Sequence, residues 1–341
     1  MKLHPVDFQK ALSYSTKNQT LFPSIDKAQL SELRGKAHHY LKLVHRFRWL
    51  HNIVTGILIV CFFIADYHVL IYLPELWAVN TESSAASFIT GAAAGVLHGW
   101  MVCSITTFLV HEVNAHHLGF IGKSPLAGKL NHFAANLCRL FMADPVVYRE
   151  SHLSHHKYFG TVKDASFTNH VSLKRLLISL LPASPVFSYS DFFPWRSQEK
   201  TPSRSLSMAL GKAYMFFYLG LCWYFHGFIY SVTAIFIVGS WFSYAPDRIR
   251  ETMEHFQMPL GNPDGTRNLG LGFWGLFLGG GPWGQPCHLS HHLFPELPWY
   301  FQVKIHFDLK KILRDDQRKY FILRPFIGVP GIFIRLIKAQ K

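Results

Sequence analysis

The sequence predicts an all-α integral membrane protein, with four transmembrane helices in two hairpins and a cytoplasmic helical cap that carries a histidine-rich site. Three observations carry that expectation. The chain of 341 residues holds apolar stretches of spanning length, its basic residues lie almost wholly outside them, and its histidines cluster beside them. Hydrophobic residues make up 49% of the chain, which suits a protein half in lipid and half in the cytosol.

Residues 1–51 form a basic N-terminal segment with a helical apolar period near Ser24–His45 (Leu30, Leu33, Tyr40, Leu41, Val44). Its first residues, "MKLHPVDFQK", lack an apolar run, so no cleavable signal peptide is expected. Residues 52–110 make the first hairpin. Asn52–Leu73 is apolar except for Asp66, and Ala85–Val110 carries no charge. Each exceeds the roughly 20 residues that one bilayer crossing takes. Residues 111–204 are mixed, with apolar patches at Phe133–Phe141 and Leu176–Leu181 that read as interfacial or packed. Residues 205–246 are apolar apart from Lys212 and supply two short crossings, turning at Phe225–Phe228, where Gly227 tolerates the backbone and His226 is expected to face water. Residues 247–341 return to basic, polar character.

All of the 34 Lys and Arg except Lys212 fall in residues 1–51, 111–204 and 247–341, which four crossings place on one side. The positive-inside rule makes that side the cytoplasm, with both termini and the histidine site on it. The net charge of +14 is thereby accounted for, and no nucleic-acid-binding pattern competes for it. The five cysteines form no CxxC pair, so neither a disulfide framework nor a zinc ribbon is expected.

The pentapeptide "HLSHH" occurs twice, at His152–His156 and His288–His292. In a chain with 21 histidines, an HxxHH pattern arises by chance only ~0.08 times, so two copies need a cause. Their flanks share nothing, which argues against a duplicated module. Positions i, i+3 and i+4 share one helix face, so each copy is expected to aim three imidazoles at one point. A third cluster, "HEVNAHH", offers His111 and His116, with His117 as a spare. Neutral imidazoles converging in this number point to iron, copper, zinc or nickel.

The other histidines read differently. His98 and His68 lie within the first two apolar stretches and read as packing residues; His38, His39, His45 and His51 read as solvated. His170 and His306 match no motif. Glu112, Glu150 and Glu254 flank the clusters as candidate second-sphere partners for imidazole N–H groups, or as ordinary charges. The "GGGPWG" run, Gly279–Gly284, lacks the Lys of a phosphate loop and reads as tight turns.

The three boxes together, HxxxxH at His111–His116 and HxxHH at His152–His156 and His288–His292, resemble those of the membrane fatty acid desaturase and hydroxylase superfamily. The resemblance runs from about residue 50 to 305 and includes "HHLFPELPWY" after the last box. It implies a non-haem di-iron centre of two iron ions, O2 as co-substrate, and an external electron donor. By position it implies as ligands His111, His116, His152, His155, His156, His288, His291 and His292, with His255 of "RIRETMEHF" as a further one. Stearoyl-type members place an Asn four residues before that last histidine. Here the residue is Glu251, a possible ligand in its own right, and His117 is left as second sphere or idle.

The activity so implied is desaturation of a long-chain acyl lipid. Hydroxylation of a fatty acid, alkane or carotenoid and oxidative decarboxylation of a fatty acid to a terminal alkene use the same scaffold. No HPGG haem signature is present, so the implied donor is a separate ferredoxin, rubredoxin or cytochrome b5 with its reductase, docking on basic residues such as Lys310 and Lys311. A metal transporter or haem-binding membrane protein would want polar ligands at mid-membrane or His pairs on facing spans. Only His98 lies deep in a span.

Overall fold

In the computed structural model, residues 24–76, 83–159, 164, 202–255, 258, 265–283, 285–324 and 327–338 are described. His170, the 176–181 patch and Gly284 lie outside that set. Among the described residues the regular structure is helical, with one isolated bridge between Asn268 and Ile322.

Helix α1, Lys27–Arg46, starts at a capping box: the Asp26 carboxylate accepts from the Gln29 N–H at 2.8 Å, and the Gln29 side chain accepts from the Asp26 N–H. Four helices are long and apolar enough to cross a membrane: α2 (Arg48–Ile71), α3 (Ser84–Ala115), α6 (Pro202–His226) and α7 (Phe228–His255). Between them lie α4 (Pro125–Leu137) and α5 (Pro145–Tyr158). After α7 come α8 (Phe273–Leu278), α9 (His288–Leu293), α10 (Trp299–Ile312), α11 (Asp315–Phe321) and α12 (Gly328–Lys338).

The apolar runs read from the sequence end at residues 110 and 246, yet α3 and α7 continue to Ala115 and His255. Hydropathy marks where lipid contact ends. The helices outlast it because their polar last turns are buried in protein, with His111, Glu112, Arg250, Glu254 and His255 all buried.

A glycine stripe sets the distance between α3 and α7. A Cβ added at Gly91, Gly95 or Gly99 would meet the carbonyl oxygens of Tyr230, Ala234 or Gly239 at 2.9, 2.8 and 2.5 Å. Only a residue without a side chain lets the two backbones approach this closely. Their ends carry His111 and His255, so the stripe fixes the base of the histidine cluster.

The charge that interrupts the first apolar run is also paired. Asp66 on α2 lies 2.7 Å from His98 Nδ1 on α3 and accepts the Tyr214 hydroxyl of α6 at 3.2 Å. The packing role expected for His98 is thus a polar one, since an unpaired carboxylate among apolar helices would be costly. Gly227, at φ 84°, makes the expected turn between α6 and α7. His226, expected to face water, instead bonds the Ile71 carbonyl at 2.8 Å.

His51 departs from its expected solvated state as well. It is buried, with Nε2 at 2.7 Å from the Leu118 carbonyl and Nδ1 at 3.0 Å from the Tyr300 hydroxyl. His38, His39 and His45 are exposed. Of the patch at residues 133–141, Phe133 is exposed while Phe141 packs on Phe62 and Phe63.

Leu33 and Ala37 of α1 pack with Leu289 of α9 and with Ile305 and Leu309 of α10 in one apolar core. This core lies directly behind the last histidine box. The glycine run before that box turns tightly at Gly280 and Gly281, both at positive φ. It is pinned to α3 by Ser104, whose hydroxyl donates to the Gly280 carbonyl and accepts from Trp283 Nε1. All five cysteines are free.

Candidate metal centre

Each histidine box owes its placement to a local helix geometry. The first lies where α3 widens into a π-helical stretch, Phe108–Ala115. A π-helix pairs residue i with i+5. His111 and His116 therefore come to one side, with ring centroids 4.9 Å apart. The second box rides on α5, whose N-terminus is capped by Asp144 accepting the Val146 N–H at 2.9 Å. The third forms α9, and His255 ends α7.

These residues converge as two groups. In the first, His111, His116, His152 and His291 bring their ligand nitrogens within 4.8 Å of one another. His156 joins them, its Nε2 lying 3.0 Å from His152 Nε2 and 2.8 Å from His291 Nε2. The second group is His155, His255, His288 and His292. There the Nε2–Nε2 separations are 3.1 Å for His255–His288 and His288–His292, and 3.2 Å for His155–His292. Donors about 2.1 Å from a shared ion sit about 3.0–3.4 Å apart, so these separations are those of ligand edges.

The expectation that each box aims three imidazoles at one point is corrected here. The second box sends His152 and His156 to one group and His155 to the other; the third sends His291 to the first and His288 and His292 to the second. Residues i, i+3 and i+4 share a face, but their Cβ atoms lie about 5–6 Å apart along it. That is far enough for one box to serve two ions. The ring of His156 stacks on that of His292 at 4.6 Å, closing the seam between the groups.

Burial disfavours the protonated form of six of these rings. Desolvation pushes His116 down to about 4 and His156 to about 3, and it holds His152, His288, His291 and His292 well below the usual imidazole range. Their neighbouring imidazoles act in the same direction. Metal ligation requires the unprotonated ring, so the apoprotein already holds these ligands in the binding state.

Behind the converging Nε2 atoms, Nδ1 contacts fix ring orientation. His155 Nδ1 bonds Asp164 at 2.9 Å, and His291 Nδ1 lies 3.2 Å from the Gln302 side-chain amide; Glu112 Oε1 lies 3.3 Å from His111 Nδ1 without hydrogen-bonding it. Glu112 lies beside the His111 ring, and its other oxygen accepts the Trp299 N–H at 3.3 Å. Glu150 is exposed on α5. Glu254 lies beside His288 and bonds Arg250. Glu251 falls in neither group and pairs with Arg248 at 2.7 Å. His117, at φ 55°, turns outward to 3.3 Å from Arg149.

The sequence reading missed Asp164 and Gln302. Asp164 sits in a stretch without periodicity and carries no motif. Gln302 could have been found only as a polar residue inside the apolar period of α10. His306, which matched no motif, is buried outside both groups; its Nδ1 accepts from Asn268, which also donates to Ser290 within the third box.

The donor set is all imidazole nitrogen at the converging atoms, a preference of first-row transition metals and not of calcium or magnesium. Replacing a carboxylate behind a ligating imidazole typically costs 10–100-fold in metal affinity. Asp164→Asn is accordingly expected to weaken metal retention by roughly that factor, measured by chelator competition on purified protein. Retention equal to that of the unmodified protein would deny Asp164 its orienting role.

A family profile described as fatty acid desaturase matches residues 86–324, a range that holds every histidine of both groups. No curated protein and no solved structure matches the chain significantly.

Proposed function

This chain belongs to the fatty acid desaturase family, and on that premise we propose that it removes two hydrogens from adjacent carbons of a long-chain acyl lipid to leave a double bond. The observation that carries this reading is the pair of histidine groups, close enough to share a stacked ring contact between His156 and His292. We assign one iron ion to His111, His116, His152, His156 and His291, and a second to His155, His255, His288 and His292. When bound, such a pair supplies the activation of O2 that oxidation of an unactivated C–H bond requires.

The protein's own residues provide the remainder. The depressed imidazoles present neutral nitrogen at physiological pH, and Asp164 holds the His155 ring in the tautomer whose Nε2 is free to bind metal. His155, His255, His288 and His292 are all buried, which excludes bulk water from that group. A single carbon pair of a bound chain must be held at the ions, because positioning supplies much of the selectivity in such chemistry.

In this reading α2–α3 and α6–α7 cross the bilayer as two hairpins, with the histidine groups on the cytoplasmic side. The distribution of Lys and Arg supports that sidedness. So does the placement of both groups around the C-terminal ends of α3 and α7. Only 22% of the apolar window of α2 and 28% of that of α6 is buried against protein, against 67% for α3. Helices α2 and α6 accordingly face lipid, and α3 forms the centre of the bundle.

Electrons come from a separate acidic carrier such as a ferredoxin, rubredoxin or cytochrome b5. Lys310 and Lys311, at the end of α10, are assigned to its docking face. Reversing both to Glu is expected to raise the donor's KM with little change in kcat, as loss of charge steering does; an unchanged KM would remove these two residues from the docking face.

Ions for transport would need ligands within the span, and the two groups lie beyond the apolar stretches. Ligand nitrogens within 4.8 Å of one another also leave no plane for a porphyrin. The deciding experiment is lipid mass spectrometry of a host expressing the chain. The expected product has lost two hydrogens. Gain of one oxygen or loss of the carboxyl carbon would replace desaturation by hydroxylation or decarboxylation.

A further inference from the structure

We propose that Asn268 is the positioning residue of the third histidine box: with His306 behind it, it caps α9 from outside the helix and so sets the place of all three imidazoles that α9 contributes. This rests on the metal-binding reading above and extends it to residues outside both groups.

Helix α9 has six residues and serves both groups, sending His291 to the first and His288 and His292 to the second. So short a helix is not stable by itself. Its first N–H groups have no partner within the helix, and an oxygen-bearing side chain at the preceding residue ordinarily meets one of them. Here the preceding residue is Cys287, which makes no side-chain cap. The carboxamide oxygen of Asn268, 22 residues earlier in the chain, accepts the Ser290 N–H at 3.3 Å instead. The same carboxamide donates to the Ser290 hydroxyl at 3.1 Å. One side chain therefore holds the middle residue of "HLSHH" at two atoms.

Asn268 is itself fixed. Its backbone makes the bridge to Ile322, with its N–H donating to the Phe321 carbonyl at 2.9 Å and its carbonyl accepting the Leu323 N–H at 3.0 Å. Two residues on, the Gly270 N–H donates to the Pro286 carbonyl at 2.9 Å, just before α9. The carboxamide also donates to His306 Nδ1 at 2.9 Å. With the carboxamide oxygen committed to the Ser290 N–H, Nδ1 of His306 can only accept, so the ring is neutral with its proton on Nε2. Burial, helped by the Lys310 charge, favours the same neutral ring and pushes it down to about 3. Asn268, Ser290 and His306 are all fully buried. Gln302, one turn before His306 on α10, lies against His291 Nδ1. Helix α10 thus grips α9 twice, at His291 directly and at Ser290 through Asn268.

Because one short helix feeds both groups, loss of this cap loosens both together. That separates Asn268 from Asp164, which bonds a single member of the second group, His155.

The test uses full-length protein purified in detergent, loaded with iron(II) under reducing conditions and challenged with a chelator. Asn268→Leu is expected to weaken retention of both ions by roughly 10–100-fold, the range for loss of a partner behind the ligands. Asp164→Asn is expected to weaken only one. Two variants of His306 separate positioning from a general contribution to stability. Asparagine puts its carboxamide oxygen where imidazole has Nδ1 and keeps the acceptor for Asn268, whereas glutamine puts it one bond further out. Retention in His306→Asn is expected to match the unmodified protein, and in His306→Gln to fall as in Asn268→Leu. A residue that merely fills the core would give the reverse order, since asparagine leaves the larger cavity.

Unchanged retention in Asn268→Leu, loss of only one ion there, or equal or reversed retention in the two His306 variants would overturn the proposal and leave the metal reading intact. No iron in the unmodified protein would overturn the metal reading itself, and this proposal with it. If Asn268→Leu does not accumulate, the two His306 variants decide alone.

Discussion

Replacing His291 by alanine is expected to abolish product formation and to strip iron from the group around His111, while the protein still inserts into the membrane. The loss should exceed the ~10–100-fold cost typical of removing a second-sphere partner, because a ligand itself is gone. His291 is fully buried, and its Nε2 lies 3.1 Å from that of His111 and 2.8 Å from that of His156. It is also the only member of the third box that reaches the first group. Insertion should survive because α9 lies outside the four long apolar helices. Lipid mass spectrometry paired with an iron determination measures both effects, and retained turnover would refute the ligand assignment.

The second large effect is expected far from any histidine. Gly95→Leu should destroy the packing of α3 on α7. The new Cβ alone would sit 2.8 Å from the Ala234 carbonyl oxygen and 2.9 Å from Val238 Cβ. Overpacking a close-packed contact costs about 1–3 kcal/mol, and more where the obstacle is backbone. Parting α3 from α7 would also part His111 from His255, so metal retention should fall together with thermal stability. Gly220→Leu is the matched control, since a Cβ there meets nothing within 4 Å and faces outward from α6. Equal melting temperatures for the two variants would show that the glycine stripe does not set the helix spacing.

What the sequence made legible follows from which physical signals repeat along a chain. Apolar length identified the four spans because crossing a bilayer takes a fixed number of residues. The histidine boxes stood out because three imidazoles at i, i+3 and i+4 exceed what packing needs. Periodicity, however, assigns a residue to a helix face and not to a depth along it. That is why each box reads as serving one point, whereas the helices deal His152 and His155, or His291 and His288, to different groups.

Pairing across the fold was hidden for a similar reason. Asp66 read as a blemish in an apolar run and His98 as a packing residue, since nothing local marks the 2.7 Å contact between them. His51 read as solvated in its basic segment, yet α10 and the chain after α3 close over it. Spacing drew attention to Glu251, four residues before His255. In three dimensions Glu251 pairs with Arg248, and Glu254 pairs with Arg250 beside His288.

If the nine histidines hold two non-haem metal ions, the iron content and optical spectrum of the purified, full-length protein will show it. About two irons per chain with no haem Soret band is the predicted result. Iron absent after loading under reducing conditions, or a Soret band accounting for the iron present, would contradict it.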